Sequence, residues 1–226
     1  MKRFLLLALC LAAALGFAAL GLWQLERRTW KHELIARVTS RIHAEPVALP
    51  PPARWQAVNA WDDEYRRLRL AGTFRHERAT LVDALTERGP GHWVMTPLVT
   101  QEGTVLVNRG FVPADGGMHD FSWPRGKVTL TGLLRLSEPG GRFLRPNRPQ
   151  SGLWYSRDVA AIAAARKLGP VAPFFVDAEA GKAGTYPTGG LTVVRFRDAH
   201  LVYALTWLAL ASIAAFGAWR LLQKPS

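Results

Sequence analysis

The chain has 226 residues, is 49% hydrophobic, and carries 29 Lys and Arg against 17 Asp and Glu, for a formal charge of +12. A single cysteine, Cys10, excludes an intrachain disulfide framework and a cysteine-based metal site, and the six histidines form no tight ligand spacing. The basic excess is scattered, with no run of Lys and Arg interleaved with aromatics, so it points to anionic lipid headgroups and not to nucleic acid.

The first element is an uncharged apolar run, Phe4 to Trp23, close to the roughly 20 residues a helix needs to cross hydrocarbon. Lys2 and Arg3 in front of it suggest a signal peptide. The run is too long for a signal h-region, however, and it ends in Trp23-Gln24-Leu25-Glu26-Arg27-Arg28 without a small-residue cleavage site. A lipoprotein reading at Cys10 fails because Leu9 is bulky and the preceding apolar stretch is short. An uncleaved anchor is therefore expected. Residues 26–42 have helical composition and extend the span outward, with Trp23 and Trp30 at the interface and Arg27, Arg28 and Lys31 reaching headgroups. Pro46 and Pro50-Pro51-Pro52 stop that helix and read as a stiff connector, followed by a short helix over Trp55 to Trp61.

From Tyr65 the texture becomes short and alternating. Strands are expected over Tyr65–Phe74 (with a bulge at Gly72), Ala79–Leu85, His92–Thr100, Thr104–Val112, Lys127–Leu136, Pro173–Val176 and Leu191–Arg197. Arg88-Gly89-Pro90-Gly91 separates the second from the third. One helix, Ser156–Leu168, opens at Arg157-Asp158 and stops at Gly169-Pro170. A second uncharged run, Leu201 to Trp219, predicts another span. The expected architecture is an α+β membrane protein: two transmembrane helices flanking one mostly antiparallel β domain with one or two short helices. Its expected parts are residues 1–3 as a cytoplasmic tail, 4–23 as the first span, 24–200 as an extramembrane domain (24–52 helical extension and connector, 53–200 core), 201–219 as the second span and 220–226 as a cytoplasmic tail. The tails carry Lys2, Arg3, Arg220 and Lys224 and no acid, which places them in the cytoplasm by the positive-inside rule. The basic residues flanking the domain side are discounted, because a loop this long translocates largely regardless of charge. In a bacterium the domain is then periplasmic, carried on a multi-pass inner-membrane protein.

No enzymatic constellation is present: there is no P-loop, no GxGxxG after a strand, no GxSxG and no CxxCH. Asp62-Asp63-Glu64 reads as a solvated turn. Asn108-Arg109-Gly110 is open between a bulge with a structural arginine and a contact with a partner or a propionate. His200 stands at the outer edge of the second span, with Tyr203 and Trp207 three and seven residues on, one helix face by spacing. Neutral imidazole is a common haem or copper ligand, while an interfacial aromatic belt accounts for the same residues without one.

Certain segments carry a further resemblance: Gly21–Arg28 with Trp30-Lys31, Tyr65-Arg66-Arg67 with Gly72-Thr73-Phe74, Gly91–Leu98, Val105–Pro113, Gly132–Arg135 with Ser137-Glu138-Pro139, Trp154–Asp158 and His200–Trp207. In this order, over nearly the whole chain, they resemble the Surfeit locus protein 1 family, assembly factors of haem-copper cytochrome c oxidase. The resemblance implies a non-enzymatic chaperone of aerobic respiration. It would bind haem a and assist its insertion into the catalytic oxidase subunit, with haem a synthase as a further partner. It also implies His200 as the iron ligand. Tyr203, Trp207 and Trp23 would pack or position around the ring, and Arg27, Arg28 or Arg109 would pair with propionates. The family often has Asn two residues before this histidine, where this chain has Asp198. The alternatives are a cofactor-free scaffold that works through its β domain and a membrane-tethered enzyme.

Overall fold

The apolar N-terminal run and the charged run after it form one unbroken helix, α1, Lys2–His43. At 1.5 Å per residue it is about 63 Å long, roughly twice the hydrocarbon thickness of a bilayer. The computed structural model describes residues 1–114, 123–142, 144–181, 185–192 and 198–223. Most of the strand expected over Leu191–Arg197 lies outside them. The chain divides into two units, Met1–Arg37 with Val194–Ser226, and Val38–Val193.

In the first unit the N-terminal part of α1 packs on α3, His200–Gln223. Both helices are long and apolar enough to cross a membrane. They run antiparallel, and their contacts are in consistent register from end to end. The Arg3 guanidinium donates to the Leu221 carbonyl, Phe17 stacks on Trp207 at 5.6 Å between centroids, and Gln24 meets His200. Small residues allow the approach: a Cβ on Gly21 would lie 2.9 Å from Leu208 Cδ2, and Ala204 and Ala218 are buried. The leucines on the other faces stay exposed, as lipid-facing side chains do.

The second unit is a small barrel. Seven strands form it: β1 Val47–Ala48, β2 Arg67–Phe74, β3 Thr80–Thr86, β4 Gly89–Thr100, β5 Thr104–Pro113, β6 Lys127–Leu136 and β7 Val171–Ala178. Their order is β1-β2-β6-β7-β5-β4-β3, and a further pairing of β2 with β4 closes five of them into a ring. Pairing is antiparallel except for β1–β2 and β5–β7. The mostly antiparallel domain between two apolar helices is thus as expected.

Strand alternation fills the barrel. Leu68, Leu70, Leu98, Val105, Val107, Leu134, Phe174 and Val176 point inward and are buried. Each contributes about 1.5–3 kcal/mol relative to exposure. The indole of Trp55, from a 3₁₀ turn at Pro52–Ala57, packs edge-on against Phe174 and donates to the Pro50 carbonyl. This turn replaces the short helix expected over Trp55–Trp61. A second core lies on the outer face, where α2, Val159–Arg166, and Trp154 cover Val82, Met95, Leu106 and Phe175. Asp158 caps α2 by accepting from the Ala161 amide.

Two local expectations are corrected, and of the two readings open for Asn108-Arg109-Gly110 the bulge is present. Gly72 is not a bulge: β2 pairs with β6 without a slip across it, and glycine is required because a Cβ would lie 2.3 Å from the Val99 carbonyl oxygen. The bulge is in β5. Trp93 faces Phe111 and Met95 faces Asn108, which leaves Arg109 and Gly110 opposite one residue. Gly110 sits at φ +127, and a Cβ there would collide with Thr188 at 2.2 Å. Gly89-Pro90-Gly91 is not a separator either, because these residues are the first of β4 and pair with Thr86, Leu85 and Ala84.

Candidate functional site

The first site is at the outer end of the helix pair. His200 opens α3, and its Nδ1–H donates to Gln24 Oε1 at 2.8 Å. This bond fixes the tautomer, so the neutral ring keeps its lone pair on Nε2, which has no partner among the described residues. An imidazole held at Nδ1 and open at Nε2 is the donor chemistry of an axial haem ligand, so the residues present fit that group. Asp198 steadies the same corner. Its Oδ1 accepts the His200 amide at 3.2 Å, and its Oδ2 accepts from His32 Nε2 at 2.6 Å. The hydrogen bond from His32 holds the Asp198 carboxyl below the usual carboxylate range. Its contribution is therefore fully present at neutral pH and is lost only as pH falls below about 4. Asp198, two residues before His200, thus bonds both the histidine backbone and the His32 side chain.

The other predicted residues separate. Trp207 shares the face of His200 that meets α1 and stacks on Phe17. Tyr203 is 55% exposed and Trp23 52%, so both turn half their surface away from the helix pair, as belt aromatics do. The Arg27 guanidinium lies over the Trp30 ring at 4.2 Å, and Arg28 is half-buried. Arg109 belongs to the barrel unit. Its guanidinium lies 5.1 Å from the Phe74 ring centre and 5.5 Å from that of Trp123, and burial lowers its pKa to about 10, which leaves it charged at neutral pH. Gln24 lies within the Gly21–Arg28 segment of the resemblance, where nothing marks it out, and His32 lies outside every such segment; the antiparallel register of two helices brings them to this corner.

The barrel carries a second polar centre on its outer face. Asp177 is 4% exposed and accepts from Asn108 Nδ2 at 2.8 Å, Arg157 Nη1 at 3.1 Å, Arg135 Nη1 at 3.3 Å and Thr192 Oγ1 at 2.9 Å. Arg157 reaches Glu138 with Nε and Nη2, and Arg135 pairs with Glu64. Burial alone would lower the Arg157 pKa, but its bonds to Glu138 and Asp177 outweigh that and hold it above the ordinary range. Burial would likewise raise Glu138, and the Arg157 bonds lower it on balance. The cluster floors a cleft of about 610 Å³ walled by Trp93, Leu85 and Leu191. The acids at Asp62-Asp63-Glu64 are a turn, but only Asp62 is solvated. Asp63 is buried and accepts the Asn59 amide, and Glu64 holds Arg135. No group of three or more metal-binding side chains occurs among the described residues.

Two apolar helices packed antiparallel, bracketing a closed barrel and carrying one open imidazole, define a class compatible with a membrane-anchored protein. The model described as the SURF1 family matches residues 11–212, and this chain belongs to that family. Similar proteins carry the name Surfeit locus protein 1. The rat protein (Rattus norvegicus) is 34% identical over 87% of this chain and 69% of its own length. The mouse protein (Mus musculus) is 35% identical over 94% and 74%, and the human protein (Homo sapiens) 34% identical over 87% and 71%.

A test of the corner follows from its geometry. Gln24→Leu removes the acceptor that orients His200, and such a partner is worth about 10- to 100-fold in metal affinity. If His200 ligates haem, haemin titration of the purified full chain, read by absorbance, is expected to weaken by that factor. Gln24→Glu is expected to retain binding. Equal affinity in wild type and Gln24→Leu would show that Gln24 does not orient the ligand.

Proposed function

We propose that this chain is a non-enzymatic assembly factor for haem-copper cytochrome c oxidase. Family membership supports the oxidase-assembly role. In this reading it holds haem a at the outer membrane face through His200 Nε2 and assists its insertion into the catalytic oxidase subunit, with haem a synthase as donor and membrane lipid as surroundings. The observation that carries the haem part is the His200 tautomer set by Gln24, which leaves one ring nitrogen open at a membrane boundary. Such a nitrogen would supply the imidazole donor that haem iron takes from a protein. Gln24 orients the ring, Asp198 holds the start of α3, and the Phe17–Trp207 stack keeps the two helices together beneath it. Arg27 and Arg28 are the cations of the same unit available to propionates.

Both termini are assigned to the cytoplasm and the barrel to the periplasm of a bacterial inner membrane. The test is purification of the full chain from haem-a-producing cells, followed by a spectrum and a pyridine haemochrome. Haem a at a fixed ratio to protein supports the reading. Chain that brings down the oxidase subunit without any haem favours a second reading, a cofactor-free scaffold acting through the Asp177 face. A reporter fused after Ser226 that reads as periplasmic would overturn the topology.

A further inference from the structure

We propose that the double hairpin between Glu138 and α2 is a second membrane contact, a rigid basic tip that docks on anionic phospholipid headgroups. No acidic residue occurs from Pro139 to Arg157, while Arg142, Arg145 and Arg148 recur at every third position. All three arginines are exposed. Arg142 has one acid near it, Asp83 at 3.8 Å with both side chains well exposed, and Arg145 and Arg148 pair with no acid among the described residues. Arg145 lies over the Tyr155 ring at 5.7 Å.

The tip is built and not slack. Arg142 and Arg145 exchange both backbone hydrogen bonds, and Arg148 and Leu153 do the same around the 3₁₀ turn at Pro149–Ser151. Asn147 Oδ1 accepts from the Tyr155 and Ser156 amides and its Nδ2 donates to Ser156 Oγ, which pins the two hairpins together. Gly141 is required in the first, since a Cβ would lie 2.4 Å from the Arg145 carbonyl oxygen. This frame thrusts Leu144 outward at 85% exposure with φ +60, a conformation bulky L-residues rarely adopt, and leaves Leu153 43% exposed.

Aliphatic side chains flanked by arginines match a headgroup boundary: the guanidiniums meet phosphates and the leucines reach the acyl edge. An acidic protein surface would use the charges but gain little from a strained, outward leucine, so lipid is the occupant the tip fits. The hairpin base belongs to one polar network of the barrel unit. Glu138 holds Arg157, which shares Asp177 with Arg135, which holds Glu64. The Glu64 carbonyl in turn accepts from Arg41 in the last turns of α1.

The proposal rests on the membrane reading of α1 and α3, and its test separates the two. The full chain, as Cys10→Ser with Gln150→Cys carrying an environment-sensitive fluorophore, is reconstituted in nanodiscs of phosphatidylcholine alone or with phosphatidylglycerol. Co-elution with discs of either lipid reports the anchor. Quenching of the fluorophore by headgroup-labelled lipid, present in the anionic discs and weak in the neutral ones, reports the tip. One arginine near an anionic surface is worth about fivefold in partitioning, so the triple variant Arg142→Glu, Arg145→Glu, Arg148→Glu is expected to lose on the order of a hundredfold. High salt is expected to weaken quenching, and Leu144→Asp to make it shallower. Anchored protein with no quenching in anionic discs, or quenching unchanged in the triple variant, overturns the proposal. Quenching absent in lipid but label burial appearing on addition of purified oxidase would assign the tip to a protein partner instead.

Discussion

Replacing His200 by Ala is expected to strip the purified protein of haem, or to shift its Soret band and axial-ligand signature, while the chain stays in the membrane at its normal level. The imidazole makes one side-chain hydrogen bond, to Gln24, and a half-buried bond of this kind contributes about 0.5–1.5 kcal/mol. Its loss leaves the helix pair held by the Phe17–Trp207 stack and the small-residue contacts at Gly21 and Ala204. His43→Ala is the matched control, an exposed histidine on α1 that bonds only the Thr39 carbonyl. Equal haem loss in both variants would assign the effect to general destabilisation and sink the ligand role. An unchanged spectrum in His200→Ala would return the residue to the aromatic belt.

The largest stability effect is expected at Asp177. Asp177→Ala removes the buried carboxylate shared by Arg157, Arg135 and Asn108 and leaves the two arginines only their more exposed partners Glu138 and Glu64; removing one member of a buried ion-pair network costs up to about 3–5 kcal/mol. For a domain of this size that lowers the melting temperature by on the order of 10 °C. Tryptophan fluorescence on heating reads it directly, because Trp93 and Trp154 pack around the cluster and the core beside it. Arg142→Ala is the contrast: its pair with Asp83 is long and exposed, and such pairs are worth under about 1 kcal/mol. A melting point in Asp177→Ala within a degree or two of wild type would mean that the outer face is held by its apolar core alone.

Strands with regular alternation were legible in the sequence. Lys127–Leu136 has the bounds read from its pattern, and Thr104–Val112 extends by one residue. The strand expected from Tyr65 begins two residues later, since Tyr65 sits at φ +64, outside extended backbone, although its amide still donates to Leu134 of β6. Strand β1 was hidden because two residues between Pro46 and Pro50 carry no period. Ring closure was hidden for a different reason: it depends on β2 and β4 meeting over Gly72–Phe74, and nothing local marks that pairing. At the candidate site, helical spacing grouped His200, Tyr203 and Trp207, but spacing gives angles and not neighbours. The partner helix takes His200 and Trp207 and leaves Tyr203 on the flank. Asp177 was passed over because the strand expected there ended at Val176. Yet residues from Gly91–Leu98, Val105–Pro113 and Trp154–Asp158, three segments that carry the family resemblance, come together around it as Trp93, Asn108 and Arg157.

The ring closure has a consequence for recognition. A sheet in which β4 pairs back onto β2 offers few unsatisfied backbone groups along its sides. The two strands outside the ring are poor templates: β1 has only two residues, and β3 already gives its Asp83 amide to the Trp154 carbonyl. Strand addition, the commonest way for an extended peptide to join a sheet, therefore has little foothold along the described strands. Recognition along these strands would then rest on side chains, through charge, shape and apolar fit, and the ring strands are protected from the edge-to-edge self-association that threatens exposed β edges.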